Sequence, residues 1–255
     1  MTLEVHMFPC LEDNYGFLVH DASAGVTAVI DTPEVAPINA ALEEKGWRLT
    51  HILNTHHHFD HAGGNEALKA RWGCTVVGAA NDAERIPGID VRVADGERLD
   101  FGSTSALVLE VPGHTRGHIA YYFEEDGIAF VGDTLFALGC GRLFEGTPEQ
   151  MWSSLQKLMA LPDDTVVYCA HEYTQSNAAF ALSVEPKNDA LLARSREIDR
   201  RRADGLPTVP TTIGLEKATN PFLRPHSSNL RATIGIGGDD PVAVFAETRR
   251  RKDHF

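Results

Sequence analysis

Five of the chain's twelve histidines fall within eleven residues, at His51, His56, His57, His58 and His61, with Asp60 among them. An even spread over 255 residues would put about half a histidine in such a window. Imidazole and carboxylate are good ligands for zinc and its first-row neighbours, so this density points to metal binding. Further on stand His114, Asp133 and His171, giving seven candidate ligands: His56, His58, Asp60, His61, His114, Asp133 and His171. One catalytic zinc takes three protein ligands and keeps a position for water. Seven ligands therefore suit two ions, with three private ligands each and one shared carboxylate. Water bridging such a pair is acidified to hydroxide near neutral pH. His57 lies between two candidates and is expected to point away, without a role. His51 and His118 read as structural groups or as supports for ligands. Asp31 reads equally well as a turn residue and as a group orienting the histidine loop.

These ligands need rigid mounting, and the sequence supplies strands just ahead of them. Strand candidates are Phe17–His20, Thr27–Ile30, His51–Leu53, Thr75–Val77, Ser105–Val111, Ile119–Phe123, Ile128–Val131 and Thr165–Cys169. Four of them lead directly into His56–His61, His114, Asp133 and His171. Helices are expected at Ala36–Lys45, Gly64–Trp72 and Pro148–Ala160, the last opened by a capping box of Thr147 and Gln150 with Pro148 at its first position. Beyond about residue 173 the strand signal ends, and helices are expected at Gln175–Glu185, Asn188–Ala203, Ser227–Ile234 and Pro241–Arg251. Mixed structure followed by helix alone implies two structural units. The run Arg194, Arg196, Arg200, Arg201 and Arg202, interrupted by Glu197 and Asp199, reads as a solvated helix face.

Composition removes several functional classes. Hydrophobic residues make up 43% and charged residues 23%, as in a globular protein rather than a disordered or fibrous one. No run approaches the length of a membrane span, and the first ten residues lack a basic lead and an apolar stretch, which points to the cytosol. The net charge of −13 argues against nucleic acid and anionic membrane as partners. Four scattered cysteines form no Cys-x-x-Cys pair, so neither a disulfide framework nor a thiolate zinc site is expected. No Gly-x-Ser-x-Gly elbow supports a serine esterase.

The string His56-x-His58-x-Asp60-His61, followed by His114, Asp133 and His171, resembles the metallo-β-lactamase superfamily over roughly residues 15–173. That resemblance implies an α+β fold, a four-layer αββα sandwich over residues 1–173 with a binuclear site along one edge. It further implies His56, His58 and His114 on one ion, Asp60, His61 and His171 on the other, and Asp133 between them. Asp13-Asn14-Tyr15, Gly132–Phe136, Gly139-Cys140-Gly141-Arg142, His171–Thr174, Ala218–Arg224 and Arg250–Asp253 are similar to the glyoxalase II (hydroxyacylglutathione hydrolase) family along the whole chain. This likeness implies a smaller all-helical, substrate-binding domain at 174–255.

The family likeness also implies a chemistry. Glutathione would be gripped by Arg142, Phe144, Tyr173, Asn177, Arg249 and Lys252. Arg142 stands where the family usually has lysine and keeps a cation for a carboxylate. Phe144 stands where tyrosine is usual and loses a hydroxyl donor. The expected reaction is hydrolysis of S-D-lactoylglutathione to glutathione and D-lactate, the second step of methylglyoxal detoxification. A metal-bridging hydroxide would attack, with Asp60 and Asp133 as the catalytic carboxylates. Two divalent ions are expected, zinc first, with iron or manganese as alternatives. The enzyme is expected to be cytoplasmic and monomeric. Glutathione persulfide dioxygenation or lactone hydrolysis on the same scaffold is the alternative. The basic cluster Arg249–Lys252 suits an anionic thiol carrier.

Overall fold

A computed structural model describes residues 3–255. It comprises two compact units: the chain up to Val111 with Thr115–Gly132, and Pro112–His114 with Asp133–Phe255.

In the first unit, β1 (Leu3–Cys10), β2 (Asn14–Asp21) and β3 (Val26–Ile30) run antiparallel. Helix α1 (Val35–Lys45) then leads to β4 (His51–Leu53), and α2 (Phe59–Ala62) with α3 (Asn65–Trp72) lead to β5 (Thr75–Ala79). Strands β3, β4, β5 and β6 (Val91–Val93) are parallel neighbours. Parallel pairs cannot be closed by a tight turn, so helices fill the crossovers from β3 to β5. It follows that β3, β4 and β5 all end at one edge of the sheet. The loops leaving that edge carry Asp31, His56–His58 and Asp82.

Strands β7 (Arg98–Phe101), β8 (Thr104–Glu110), β9 (Ile119–Phe123) and β10 (Ile128–Gly132) form an antiparallel meander. Alternation along β2 to β4 sorts side chains between two cores. Leu18, Val29 and Ile52 pack with Ile38 and Leu42 of α1 and Leu68 of α3. Phe17 points the other way, its ring 5.7 Å from that of Phe130, while Phe123 meets Phe130 edge-on at 6.2 Å. The meander therefore covers the face of the sheet that the helices leave open.

The second unit contains the hairpin β11 (Leu135–Phe136) and β12 (Gly139–Cys140), then α4 (Pro148–Met159) and β13 (Val166–Cys169). Helices α5 (Thr174–Val184) and α6 (Asp189–Ala203) lead to β14 (Thr211–Thr212), which pairs with β13, and on to α7 (Ile213–Thr219), α8 (Ser228–Ile234) and α9 (Pro241–Asp253). The capping box forms as expected, with Thr147 accepting from the Gln150 amide and Gln150 accepting from that of Thr147.

The expected strands and helices are present to within a few residues, but β1, β6, β7, β11, β12, β14, α2 and α7 were not anticipated. Pro9 obscures β1, and it is tolerated because β1 is an edge strand. Arg194 departs from the solvated face expected for its helix. It is buried and donates to Thr211, Thr219 and Glu216, itself fully buried. Among the described residues no helix is long and apolar enough to cross a membrane. All four cysteines are buried free thiols. Burial pushes Cys10 and Cys169 up to about 12 and Cys140 up to about 11, so none is a thiolate at neutral pH.

Candidate metal centre

In the first unit the site begins at Asp31, directly after β3. Its backbone is left-handed, with φ of 57°, uncommon outside glycine. That turn points the carboxylate at the loop leaving β4, where it accepts from the Thr55 amide at 2.7 Å and the Thr55 hydroxyl at 2.7 Å. It also accepts from His61 Nδ1 at 2.8 Å. Asp31 is thus an orienting group, and the turn is how it orients. A carboxylate acceptor fixes the proton of His61 on Nδ1 and leaves Nε2 as a lone pair, 3.4 Å from Asp60 Oδ2. The Thr55 hydroxyl, already donating to Asp31, accepts from His56 Nδ1 at 3.1 Å. His56 Nε2 is then also a lone pair, 3.0 Å from Nδ1 of His58. Asn14, from the hairpin β1–β2, donates to the carbonyl and carboxylate of Asp60.

His57 bonds Asp82 at 2.9 Å through Nδ1, away from its neighbours' ligand atoms. His118 is buried and stacks on His56 at 4.6 Å, as a supporting ring. His51 bonds Thr50 Oγ1 and packs edge-on against Phe101, and burial lowers its pKa.

In the second unit His114, Asp133 and His171 are all buried. The two oxygens of Asp133 divide between the histidines: Oδ2 lies 3.3 Å from His114 Nε2 and Oδ1 lies 3.3 Å from His171 Nε2. A carboxylate facing two imidazoles through different oxygens is the disposition a bridging ligand needs. The carbonyl of Arg142 accepts from His114 Nδ1 at 2.9 Å, which again puts the lone pair on Nε2. Tyr173 stacks on His171 with centroids 4.7 Å apart and planes 2° apart, holding its ring. Gly141 makes this geometry possible, because a Cβ there would lie 2.0 Å from the Asp133 carbonyl oxygen.

The hairpin β11–β12, between Asp133 and Arg142, is tied down by side chains distant in sequence. Asn177 donates to the Ala137 carbonyl, Asn220 to those of Phe136 and Gly139, and Arg249 to that of Cys140. Glu216 accepts from the Leu138 amide. Asn177 and Arg249 are both buried, and Arg249 also pairs with Asp253. Lys252 reaches Ser176 and lies over the rings of Phe180 and Phe255. Burial, with a smaller effect from Arg249, lowers its pKa to about 8. Phe144 is 57% exposed, 5.1 Å from the His114 ring and under the guanidinium of Arg142.

The donor chemistry fits divalent ions. His56, His61 and His114 each have Nδ1 held by an acceptor and Nε2 left to coordinate, and carboxylates stand beside them. Sequence reasoning missed Asp82, Asn220 and Glu216. Asp82 had a signal, being an acidic residue just after a strand; Asn220 lay inside the 218–224 string with no role assigned to it, and Glu216 had no signal.

The comparisons with known proteins agree with this chemistry. Residues 15–171 match the family model of the metallo-β-lactamase superfamily, and residues 172–255 that of the hydroxyacylglutathione hydrolase C-terminus. A hydroxyacylglutathione hydrolase of Methylococcus capsulatus is 58% identical over 253 residues, 99% of both chains. The crystal structure of ETHE1 from Myxococcus xanthus superposes with a TM-score of 0.67 at 26% identity, covering 99% of this chain and 98% of that one. That of TTHA1623 in a di-iron-bound form gives 0.62 at 27% identity, covering 86% and 100%. With family models spanning 15–255 and a full-length relative this similar, the chain belongs to the hydroxyacylglutathione hydrolase family of the metallo-β-lactamase superfamily.

Proposed function

We propose that the protein hydrolyses S-2-hydroxyacylglutathione thioesters, S-D-lactoylglutathione first among them, to glutathione and the hydroxy acid. The observation that carries this reading is the 58% identity to a hydroxyacylglutathione hydrolase along 99% of both chains. Residues 1–173 act as the catalytic domain and 174–255 as the helical substrate-binding domain. His56, His58 and His114 hold one divalent ion, Asp60, His61 and His171 the second, and Asp133 both. The donor chemistry within each unit supports this: His56 Nε2 lies 3.0 Å from His58 Nδ1 and His61 Nε2 lies 3.4 Å from Asp60 Oδ2 in the first, and Asp133 faces His114 and His171 in the second. Zinc is the ion of first choice for this donor set, with iron or manganese as alternatives.

When bound, the ions supply Lewis-acid polarisation of the thioester carbonyl and water acidified to a nucleophile at neutral pH. The chain's own groups prepare that chemistry. Asp31 and the Arg142 carbonyl hold the protons of His61 and His114 on Nδ1. Asp60, half exposed and steadied by Asn14, orients the attacking oxygen. Arg142, Phe144, Tyr173, Asn177, Arg249 and Lys252 bind glutathione, the cations meeting its carboxylates. The thiol leaving group has an ordinary pKa near 8.5 and departs as thiolate, so no acid is needed to protonate it. Persulfide dioxygenation and lactone hydrolysis are not favoured, since the matched C-terminal segment at 172–255 is that of the thioester hydrolases. The enzyme acts as a cytoplasmic monomer in this reading.

The test is a spectrophotometric thioester assay on purified protein, paired with elemental analysis. Two ions per chain and rapid loss of S-D-lactoylglutathione are expected. D133A should lose most bound metal and at least ~10³-fold in kcat/KM, about 4 kcal/mol of transition-state stabilisation. Full metal occupancy without thioester cleavage overturns the reading.

A further inference from the structure

Asp82 follows β5, on the same sheet edge as the loop carrying His56–His58, yet it has no part in the ligand set. Its side chain is wholly buried, and a carboxylate is rarely buried without a structural reason. One oxygen lies 2.9 Å from His57 Nδ1, and the other accepts from Arg85 Nε at 2.7 Å. Arg85 therefore balances the charge, while His57 receives the directed contact. The other face of Asp82 rests on Gly117, where a Cβ would lie 2.5 Å from its Cβ and Cγ. Gly117 is three residues past His114 and next to His118, which stacks on His56. Asp82 is thus wedged between two segments, 56–58 and 115–118, that flank ligands of a single ion. His57 cannot turn without moving His56 or His58, since all three are consecutive.

We propose that Asp82 is a positioning residue for the ion held by His56, His58 and His114, acting through His57; the proposal rests on the metal-centre reading above. The carboxylate fixes the ring of His57, and the His57 backbone then sets the spacing of its two ligating neighbours. Outer contacts of this kind are worth 10–100-fold in metal affinity.

The experiment measures Zn²⁺ affinity and stoichiometry by chelator competition, with Co²⁺ absorption as the coordination signature. It uses wild type, D82A, D82N, H57A, D82A/H57A and R85Q, together with the melting temperature of each metal-free protein. D82A is expected to keep one ion tightly and to bind the other ~10–100-fold more weakly. H57A should match it, and the double variant should be no worse than either single one. D82N retains an acceptor for His57 and should restore most of the affinity, and R85Q should bind both ions like wild type. Unchanged affinity in D82A, or equal weakening of both ions, overturns the proposal, as does additivity of D82A and H57A. If D82A fails to fold, H57A decides by the same criteria. A wild-type protein that binds no zinc would instead overturn the metal-centre reading.

Discussion

Asp31 in the first unit and Glu216 in the second are both buried carboxylates at the centre of a hydrogen-bond network. Asp31 accepts from a backbone amide, a hydroxyl and an imidazole. Glu216 accepts from a backbone amide, the Thr211 hydroxyl and the Asn220 amide, and also from the guanidinium of Arg194. The second network is closed electrically, its anion meeting its cation inside the protein. The first has no arginine or lysine against its carboxylate among the described contacts, and its imidazoles present lone pairs. A buried anionic cluster without an internal cation is built to take one from outside. The difference separates a group that holds a fold from one that prepares a site.

Removing one partner from each network should break it differently. R194L strands a buried carboxylate and should destabilise the protein by about 3–5 kcal/mol in denaturant titration. Its folded fraction should bind metal like wild type. D31N keeps the shape of its side chain but no longer selects the His61 tautomer. It should lower metal affinity ~10–100-fold while shifting the melting temperature of the metal-free protein far less than R194L does. The reverse pattern would erase the distinction.

Lys252 sharpens the same contrast, because its burial is not matched by a carboxylate. With its pKa lowered to about 8, the ammonium is present below that pH and lost above it. In the proposed role of Lys252, binding of a glutathione carboxylate needs the charged form. KM for glutathione thioesters should therefore rise as pH passes 8, about tenfold one unit above the pKa, and stay flat in K252R. A wild-type profile parallel to that of K252R would remove Lys252 from recognition. The smallest effect belongs to a contact wholly local in sequence: T147A, which breaks the capping box, should cost about 1 kcal/mol and leave metal affinity unchanged.

What could be read from the sequence follows these distances. The candidate ligands were legible because each follows a strand directly in the chain, and because histidine is too scarce to cluster by chance. The α4 cap was legible because its partners are three residues apart. Arg194 was misread as solvated because Thr211, Glu216 and Thr219, which bury it, lie 17 to 25 residues away. The ties on the 135–140 hairpin were invisible for the same reason, Arg249 reaching Cys140 across 109 residues. Strand β1 escaped because an edge position tolerates the proline that argues against a central strand.

The burial of the four thiols bears on life beside the product. A catalyst that liberates glutathione works in a locally high concentration of it and of its oxidised form. Disulfide exchange with a protein requires an accessible thiolate. Cys10, Cys74, Cys140 and Cys169 offer neither access nor ionisation, and Cys140 sits in the hairpin beside Arg142. The protein is thereby shielded from S-glutathionylation during its own turnover, without any need for reductant to restore it.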